Sequence, residues 1–168
     1  MAGALIVTAE LAAEDFAWLD RLRQAHFPPE RNRLRAHLTM FHALPPSAEE
    51  EVRRALSLEA SEPPPHATVE GLMNLGGGVA YRVVSVELEQ TRARLIARFQ
   101  GLLTAQDSAG WCPHVTVQNK VPSSTARILQ SRLEKQFRPS PLGIAGLGLH
   151  RYLDGPWERL ALFPFRGR

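Results

Sequence analysis

Strand-like and helix-like hydrophobic patterns alternate along this chain. Three consecutive β-branched residues at positions 6–8 predict a first strand over residues 4–8. Apolar side chains then recur at helical intervals over residues 13–26, and the proline pair that follows ends the predicted helix. Further strands are predicted over 34–44, 67–74, 79–86 and 112–118, and further helices over 47–58, 89–104 and 124–137.

Turns and caps divide these elements. The three glycines at 76–78 predict a turn that joins two neighbouring strands into a hairpin. Ser47, with Glu50 three residues later, has the spacing of a helix capping box. A turn at 154–156 divides the last apolar stretch into two strands. Because strands and helices interleave without a linker, we expect one α+β or mixed α/β domain over residues 1–168.

The composition is that of an ordinary globular chain, with 44% hydrophobic and 22% charged residues. No apolar run is long enough to cross a bilayer, and the N-terminal apolar segment lacks the basic start of a signal peptide, so we expect no membrane contact. The single cysteine, Cys112, excludes a disulfide within the chain and a cysteine-based metal centre, and we expect a cytoplasmic setting. A net charge of +3 permits an anionic ligand without requiring one.

One short pattern occurs twice. Residues 37–40 and 114–117 both have the order His, apolar, Thr, apolar, and both fall in predicted strands. Successive side chains of a strand point to opposite faces. His37 therefore shares a face with Thr39, and His114 shares a face with Thr116. The apolar residues between them are expected to pack beneath helices.

These four residues suit phosphate chemistry. Imidazole has a pKa near 6.5, so both of its protonation states are available at neutral pH. Two histidines on either side of one phosphate can divide the proton transfers, one as base and the other as acid. The threonine hydroxyls can donate hydrogen bonds to the non-bridging oxygens. This chemistry requires no metal and no cofactor.

The two motifs resemble those of a known family. Residues 33–45 and 111–120 resemble the first and second HxTx motifs of the 2H phosphoesterase superfamily, in its bacterial 2′-5′ RNA ligase-like (LigT) branch. The resemblance implies a bilobal α+β fold, with two pseudo-symmetric antiparallel-sheet lobes and outer helices around a central groove. It also implies hydrolysis of 2′,3′-cyclic phosphates to 2′-phosphates and, in some members, 2′-5′ RNA joining.

The resemblance further implies roles for particular residues. It makes His37 the proton donor and His114 the proton acceptor in hydrolysis, although the sequence itself does not decide this division. Many relatives carry an arginine soon after the second motif, where this chain has Lys120, which we expect to contact phosphate as a point charge. Tyr152, near the C-terminal hairpin, is a further expected substrate contact. The expected partners are RNA ends or small cyclic nucleotide phosphates, bound by a monomer without metal.

Other histidines and aromatic residues are expected to be structural. His42 lies five residues beyond His37, so in a regular strand it faces away from the catalytic side. His66 and His150 are expected at the surface or in structural positions, and Cys112 is expected to be a buried small side chain. Three aromatic residues could stack on a base, but we expect them to pack in the core or at the groove rim: Phe41, Trp111 and Trp157.

Two other classes of function remain open. A non-catalytic RNA-binding module would keep the groove and lack turnover, although all four motif residues are intact. A β-rich metal-dependent hydrolase would need a set of ligands, yet the chain has no HExxH sequence, and neither motif contains an acidic residue. Sensitivity of the activity to EDTA would distinguish the metal-dependent class.

Overall fold

The structure, a computed structural model, describes residues 3–168. Its strands are β1 Leu5–Leu11, β2 Leu38–Leu44, β3 Ala67–Asn74, β4 Val79–Val84, β5 His114–Gln118, β6 Ser140–Leu142, β7 Ile144–Tyr152 and β8 Trp157–Pro164. Its α-helices are α1 Ala13–His26, α2 Glu49–Glu59, α3 Val86–Arg98, α4 Ala105–Ser108 and α5 Ser123–Gln136. No helix within residues 3–168 combines the length and the apolar character that crossing a membrane requires.

The strands form two antiparallel sheets of four strands each. The first sheet has the order β2-β1-β7-β8, and the second has the order β5-β4-β3-β6. The first motif runs from His37 into β2, and the second begins β5; both strands are edge strands, and they contact each other. The expected bilobal α+β fold is therefore confirmed, and one motif lies on each lobe where the lobes meet.

The alternation of side chains along the motif strands is as the sequence predicts. Leu38 in β2 and Val115 with Val117 in β5 are completely buried in the core. Thr39 and Thr116 are only half-buried and point to the opposite face. Burying each of these apolar side chains stabilises the fold by about 1.5–3 kcal/mol. This stabilisation determines which face of each edge strand is turned to the groove.

A β-bulge interrupts this alternation after Thr39. Val7 of β1 pairs with Phe41, whereas the next residue, Thr8, pairs with Thr39, so Met40 is an extra residue in β2. Met40 and Phe41 are both completely buried although they are neighbours. The bulge returns His42 to the face of Thr39. The prediction that His42 faces away is therefore wrong, because it assumed a regular strand.

Several predicted helix ends also differ from the structure. The capping box at Ser47 is absent: α2 begins after Ala48 without a side-chain cap, because residues 46–48 form a separate 3-10 turn. The third helix begins earlier than predicted, where the Ser85 hydroxyl accepts a hydrogen bond from the Leu88 amide. It ends at Arg98 instead of residue 104, since Gly101 adopts a positive φ of 80° and turns the chain. The short elements α4 and β6 were not predicted.

Candidate active site

The four motif residues line one cavity. His37, Thr39, His114 and Thr116 all border an open cavity of about 380 Å³ between the two lobes. All four are half-buried, so each is accessible to a ligand in the cavity. The predicted sharing of a face within each motif is confirmed. The fold adds that both motifs, one from each lobe, line a single cavity.

The two motif histidines are held in the same way. The Nδ1–H of His37 donates to the carbonyl of Arg35, and the Nδ1–H of His114 donates to the carbonyl of Cys112, both over 2.8 Å. A carbonyl oxygen can only accept, so each neutral ring carries its proton on Nδ1. The Nε2 atom of each ring is thereby left for a ligand. Each histidine uses the carbonyl two residues before it, so the arrangement is repeated in both lobes.

His37 is in a less polar setting than an ordinary surface histidine. Its ring lies against the indole of Trp157, with ring centroids 4.6 Å apart. Burial lowers its pKa to about 4, opposed by the hydrogen bond to the Arg35 carbonyl and assisted by the positive charge of Arg23. The protein alone therefore holds His37 neutral at pH 7. An anion in the cavity acts in the opposite direction and raises this pKa.

Arg23 of α1 ties the two lobes together. Its guanidinium donates to the carbonyl of Leu34, shortly before the first motif, and to the carbonyl of Thr116 in the second motif. Burial lowers its pKa to about 10, with the nearby carboxylate of Asp20 opposing the change. The side chain therefore stays charged at neutral pH. It places a fixed positive charge behind the cavity of the motif residues.

The C-terminal hairpin contributes a different aromatic residue from the one expected. Trp157 lines the cavity, whereas Tyr152, its partner across the hairpin, lies outside the cavity lining and is 41% exposed. The two rings occupy paired positions, and the sequence did not show which of them reaches the cavity. Trp157 also lies 5.4 Å from the ring of His150. The structure therefore brings Trp157 to the cavity and does not bring Tyr152 there.

Lys120 is also away from the cavity. His114 is at the start of β5, and Lys120 follows the other end of the same strand, exposed and with a positive φ of 63°. It adjoins the glycine turn at 76–78, where Gly77 packs against Val121. The structure therefore does not bring Lys120 to the motif histidines. Among the described residues, no lysine lines this cavity, so none is placed to contact a phosphate there as the resemblance suggested.

His42 and Asp107 form a pair that the sequence did not predict. His42 borders the cavity of the motif residues, and its Nδ1 lies 3.0 Å from a carboxylate oxygen of Asp107. The same carboxylate accepts from the backbone amides of His42 and Ala43 and is completely buried. These hydrogen bonds lower the pKa of Asp107 against the opposing effect of burial. The only sequence signal was the presence of an acidic residue in an unassigned segment.

Cys112 and Trp111 border the cavity as well. Cys112 is exposed, so the expectation of a buried small side chain is wrong; it lies two residues before His114 and turns to the same side. Trp111 donates from its indole to the carbonyl of Thr39 and so links the approach to β5 with β2. Phe41, by contrast, is a core residue that packs on Phe99, as expected.

A second cavity adjoins the first. It measures about 480 Å³ and shares two lining residues, His37 and Trp157, with the cavity of the motif residues. Apolar side chains form part of its wall, and three arginines also border it: Arg33, Arg35 and Arg159. Arg35 pairs with Asp20 and Arg159 pairs with Glu10. His37 and Trp157 thus form a partition between two parts of one groove.

His150 and His66, the other two histidines considered from the sequence, have structural positions. His150 is buried in β7, where its Nε2 donates to the hydroxyl of Thr8, and burial lowers its pKa to about 4. His66 is exposed and pairs with Glu87 away from the cavity, as expected for a surface residue. Within residues 3–168, no three His, Cys, Asp or Glu side chains are grouped as ligands for a metal ion.

Comparison with known families agrees with this geometry. A model of the 2′-5′ RNA ligase superfamily matches residues 10–156, which is most of the chain. The chain belongs to the 2′-5′ RNA ligase superfamily. Solved structures extend the comparison to the fold of this superfamily, although no curated protein matches the chain.

Two proteins of known structure show the fold that this member of the 2′-5′ RNA ligase superfamily shares. TT0787 of Thermus thermophilus superposes with a TM-score of 0.67 at 18% identity, and the match covers 100% of both chains. E. coli LigT in complex with 3′-AMP superposes with a TM-score of 0.62 at 20% identity, covering 98% of this chain and 99% of LigT. The LigT structure with NADP+ gives 0.59 at 21% identity, covering 99% of each chain. The fold of this chain is thus LigT-like over its whole length.

Proposed function

We propose that this chain is a metal-independent phosphodiesterase that hydrolyses 2′,3′-cyclic phosphates of RNA ends or nucleotides to 2′-phosphates. One observation carries the proposal. Two imidazoles with the same tautomer, each beside a threonine, have their Nε2 atoms left for a ligand in one cavity between the lobes. That arrangement supplies a base, an acid and hydrogen-bond donors around a single phosphate.

The proposed reaction divides the proton transfers between the two lobes. His114 accepts a proton from water at Nε2 as the water oxygen forms a bond to phosphorus. The bond between phosphorus and the 3′ oxygen breaks, and protonated His37 donates its Nε2 proton to that oxygen. The products are a 2′-phosphate and a free 3′ hydroxyl. The hydroxyls of Thr39 and Thr116 donate to the non-bridging oxygens, whose charge grows in the transition state.

The donor role of His37 requires a proton that this residue does not hold at pH 7 in the protein alone. A phosphate anion about 4 Å from the ring contributes about 4 kcal/mol at an effective dielectric constant of about 20, which corresponds to about three pKa units. Added to a starting pKa of about 4, this raises the pKa of His37 in the complex to about 7. The substrate thus supplies the charge that lets His37 act as an acid.

Relatives support the class of ligand. E. coli LigT has been crystallised with 3′-AMP and with NADP+, both of which are phosphate-bearing nucleotides. The superfamily is named for 2′-5′ RNA joining, and the same groups acting in reverse give that activity. Both motifs come from one chain, so we propose a monomer. Its proposed setting is the cytoplasm, where the single cysteine needs no disulfide partner.

Turnover of adenosine 2′,3′-cyclic phosphate tests the proposal. The purified chain should convert it to adenosine 2′-phosphate, identified by phosphorus NMR, at the same rate with and without EDTA. Binding of RNA without any turnover would contradict the proposal and show that the chain is a non-catalytic RNA-binding module. Loss of turnover in EDTA, with recovery in zinc or manganese, would replace it with a metal-dependent hydrolase.

A further inference from the structure

A third histidine lies in the cavity of the motif residues and takes no part in the proposed reaction. His42 follows Thr39 by three residues, so its Cα atom is at most about 11 Å further along β2. The bulge at Met40 places both side chains on one face. His42 therefore borders the same cavity at a point beyond the reacting phosphate, and its side chain is 42% exposed.

Asp107 determines how this ring is presented. A carboxylate accepts the Nδ1–H of His42, so the Nε2 atom is left on the opposite side of the ring. The carboxylate itself is completely buried and cannot be reached by a ligand. A ring that donates from both nitrogens, to this carboxylate and to a phosphate, carries two protons. Its free Nε2–H is then a charge-assisted donor.

Other groups at this end of the cavity agree with a negatively charged ligand. The guanidinium of Arg92 lines the cavity there, and its Nε and one Nη donate to the carbonyls of Met40 and Asp107. It is therefore held in place and adds a positive charge. Gln106 borders the same end and contributes a neutral amide. Within the described part of the chain, no acidic residue lines this cavity.

We propose that His42, positioned by Asp107, binds a second phosphate group of the substrate, next to the 2′,3′-cyclic phosphate that reacts. The inference rests on the proposed function. Its consequence is a preference for substrates that carry another phosphate, such as a 5′-phosphorylated cyclic nucleotide, over a cyclic nucleoside phosphate alone. The second cavity, bordered by Arg33, is the competing location for that phosphate.

Two substrates separate this inference from the proposed function. Adenosine 2′,3′-cyclic phosphate tests hydrolysis alone, and its 5′-phosphorylated form tests the second phosphate. We expect the unmutated chain to favour the 5′-phosphorylated substrate by about 10-fold or more in kcat/KM, the scale of one hydrogen bond to a charged group. In His42→Ala this ratio should fall to near one. His42→Phe, which keeps a ring and has no donor, provides a second variant if the first does not fold, and its ratio should also fall to near one.

The chain contains a matched control. His66 and Glu87 repeat the pairing: the carboxylate accepts from the backbone amide and the ring Nδ1 of the histidine, at 2.9 Å each. This pair is exposed and lies away from the cavity. His66→Ala should keep the ratio of the unmutated chain. A ratio that persists in His42→Ala, or that is lost in Arg33→Gln instead, would overturn the assignment to His42.

A binding measurement makes the test independent of turnover. Calorimetry should show adenosine 2′,5′-bisphosphate binding about 10-fold more tightly than adenosine 2′-phosphate, with the difference lost in His42→Ala. Asp107→Asn should weaken the same difference, because the ring loses its orientation. Equal affinities of the two ligands for the unmutated chain would refute the second phosphate site, even if hydrolysis of the cyclic phosphate is confirmed.

Discussion

The imidazole of His37 lies against the indole of Trp157, with ring centroids 4.6 Å apart and planes inclined by 56°. The indole also lies 5.4 Å from the ring of His150, so it is close to both a motif histidine and a buried one. It keeps water from one side of His37 and forms part of both cavities. Burial is the largest cause of the low pKa of His37. The indole packs on this ring and so contributes to its burial.

Replacing this indole should change the protonation of His37. We expect Trp157→Leu to raise the pKa of His37 from about 4 towards 6.5, because water gains access to the ring. The imidazole Cε1–H signal, followed by NMR against pH, gives the value. Trp18→Leu is the matched control, since Trp18 makes a similar aromatic contact with Tyr81, whose ring centroid is 5.2 Å away. An unchanged midpoint for His37 would show that the indole does not shield it.

Removal of either motif histidine should abolish most turnover. His37→Ala and His114→Ala are each expected to lower kcat for the cyclic phosphate by about 100-fold or more, the usual scale of acid–base catalysis. The double variant should lose little beyond either single one, because the two groups act together. Initial rates with thermal unfolding as a check provide the measurement. Turnover near that of the unmutated chain in either variant would exclude the paired mechanism.

The threonines should matter less. Thr39→Ala and Thr116→Ala each remove one hydroxyl donor to the charged phosphate, and we expect about 10-fold lower kcat from each. Thr→Ser restores the hydroxyl and should recover most of the rate. A loss as large as that of the histidine variants would mean that phosphate positioning limits the reaction more than proton transfer does.

The regular part of this site could be predicted from the sequence. The alternation of a strand places His37 with Thr39, and the buried Leu38 between them fixes that choice in the structure. The same rule gave the wrong face for His42, because a bulge adds Met40 to the strand. This bulge depends on pairing with β1 and on the buried hydrogen bond from Arg92 to the Met40 carbonyl. A local sequence pattern contains neither contact.

Contacts between distant segments account for the other differences. Asp107 lies in the four-residue helix α4, too short to give a periodic signal, and it reaches β2 only through folding. Trp157 and Tyr152 are partners in one hairpin, and only the packing of that hairpin decides which ring enters the cavity. Lys120 was expected at the site by analogy of position, yet the length of β5 carries it away from His114.

Phosphate should shift the titration of His37. The pKa of about 4 is expected to rise to about 7 when inorganic phosphate occupies the cavity, since an anion favours the charged ring. At pH 6 the complex therefore takes up a proton that the free chain lacks. NMR of the ring signal, with and without phosphate, measures the change. Sodium chloride at the same ionic strength is the control, and an equal shift there would contradict a specific phosphate site.

The buried histidine of β7 should make the fold sensitive to acid. Burial lowers the pKa of His150 to about 4, against about 6.5 in the unfolded chain. The unfolded state therefore binds more protons between these values, so this contribution to stability is complete above about pH 6.5 and is lost as the pH falls towards 4. At pH 4.5 the loss amounts to about 2–3 kcal/mol.

His150→Gln tests this contribution, because a glutamine amide can still donate to Thr8 in place of Nε2–H. The free energy of unfolding, measured with urea at pH 7.5 and at pH 4.5, should fall less between the two pH values in the variant than in the unmutated chain. His37 titrates in the same direction and is retained in both, so its effect cancels in the comparison. Equal losses in the two proteins would mean that His150 does not remain neutral in the folded chain.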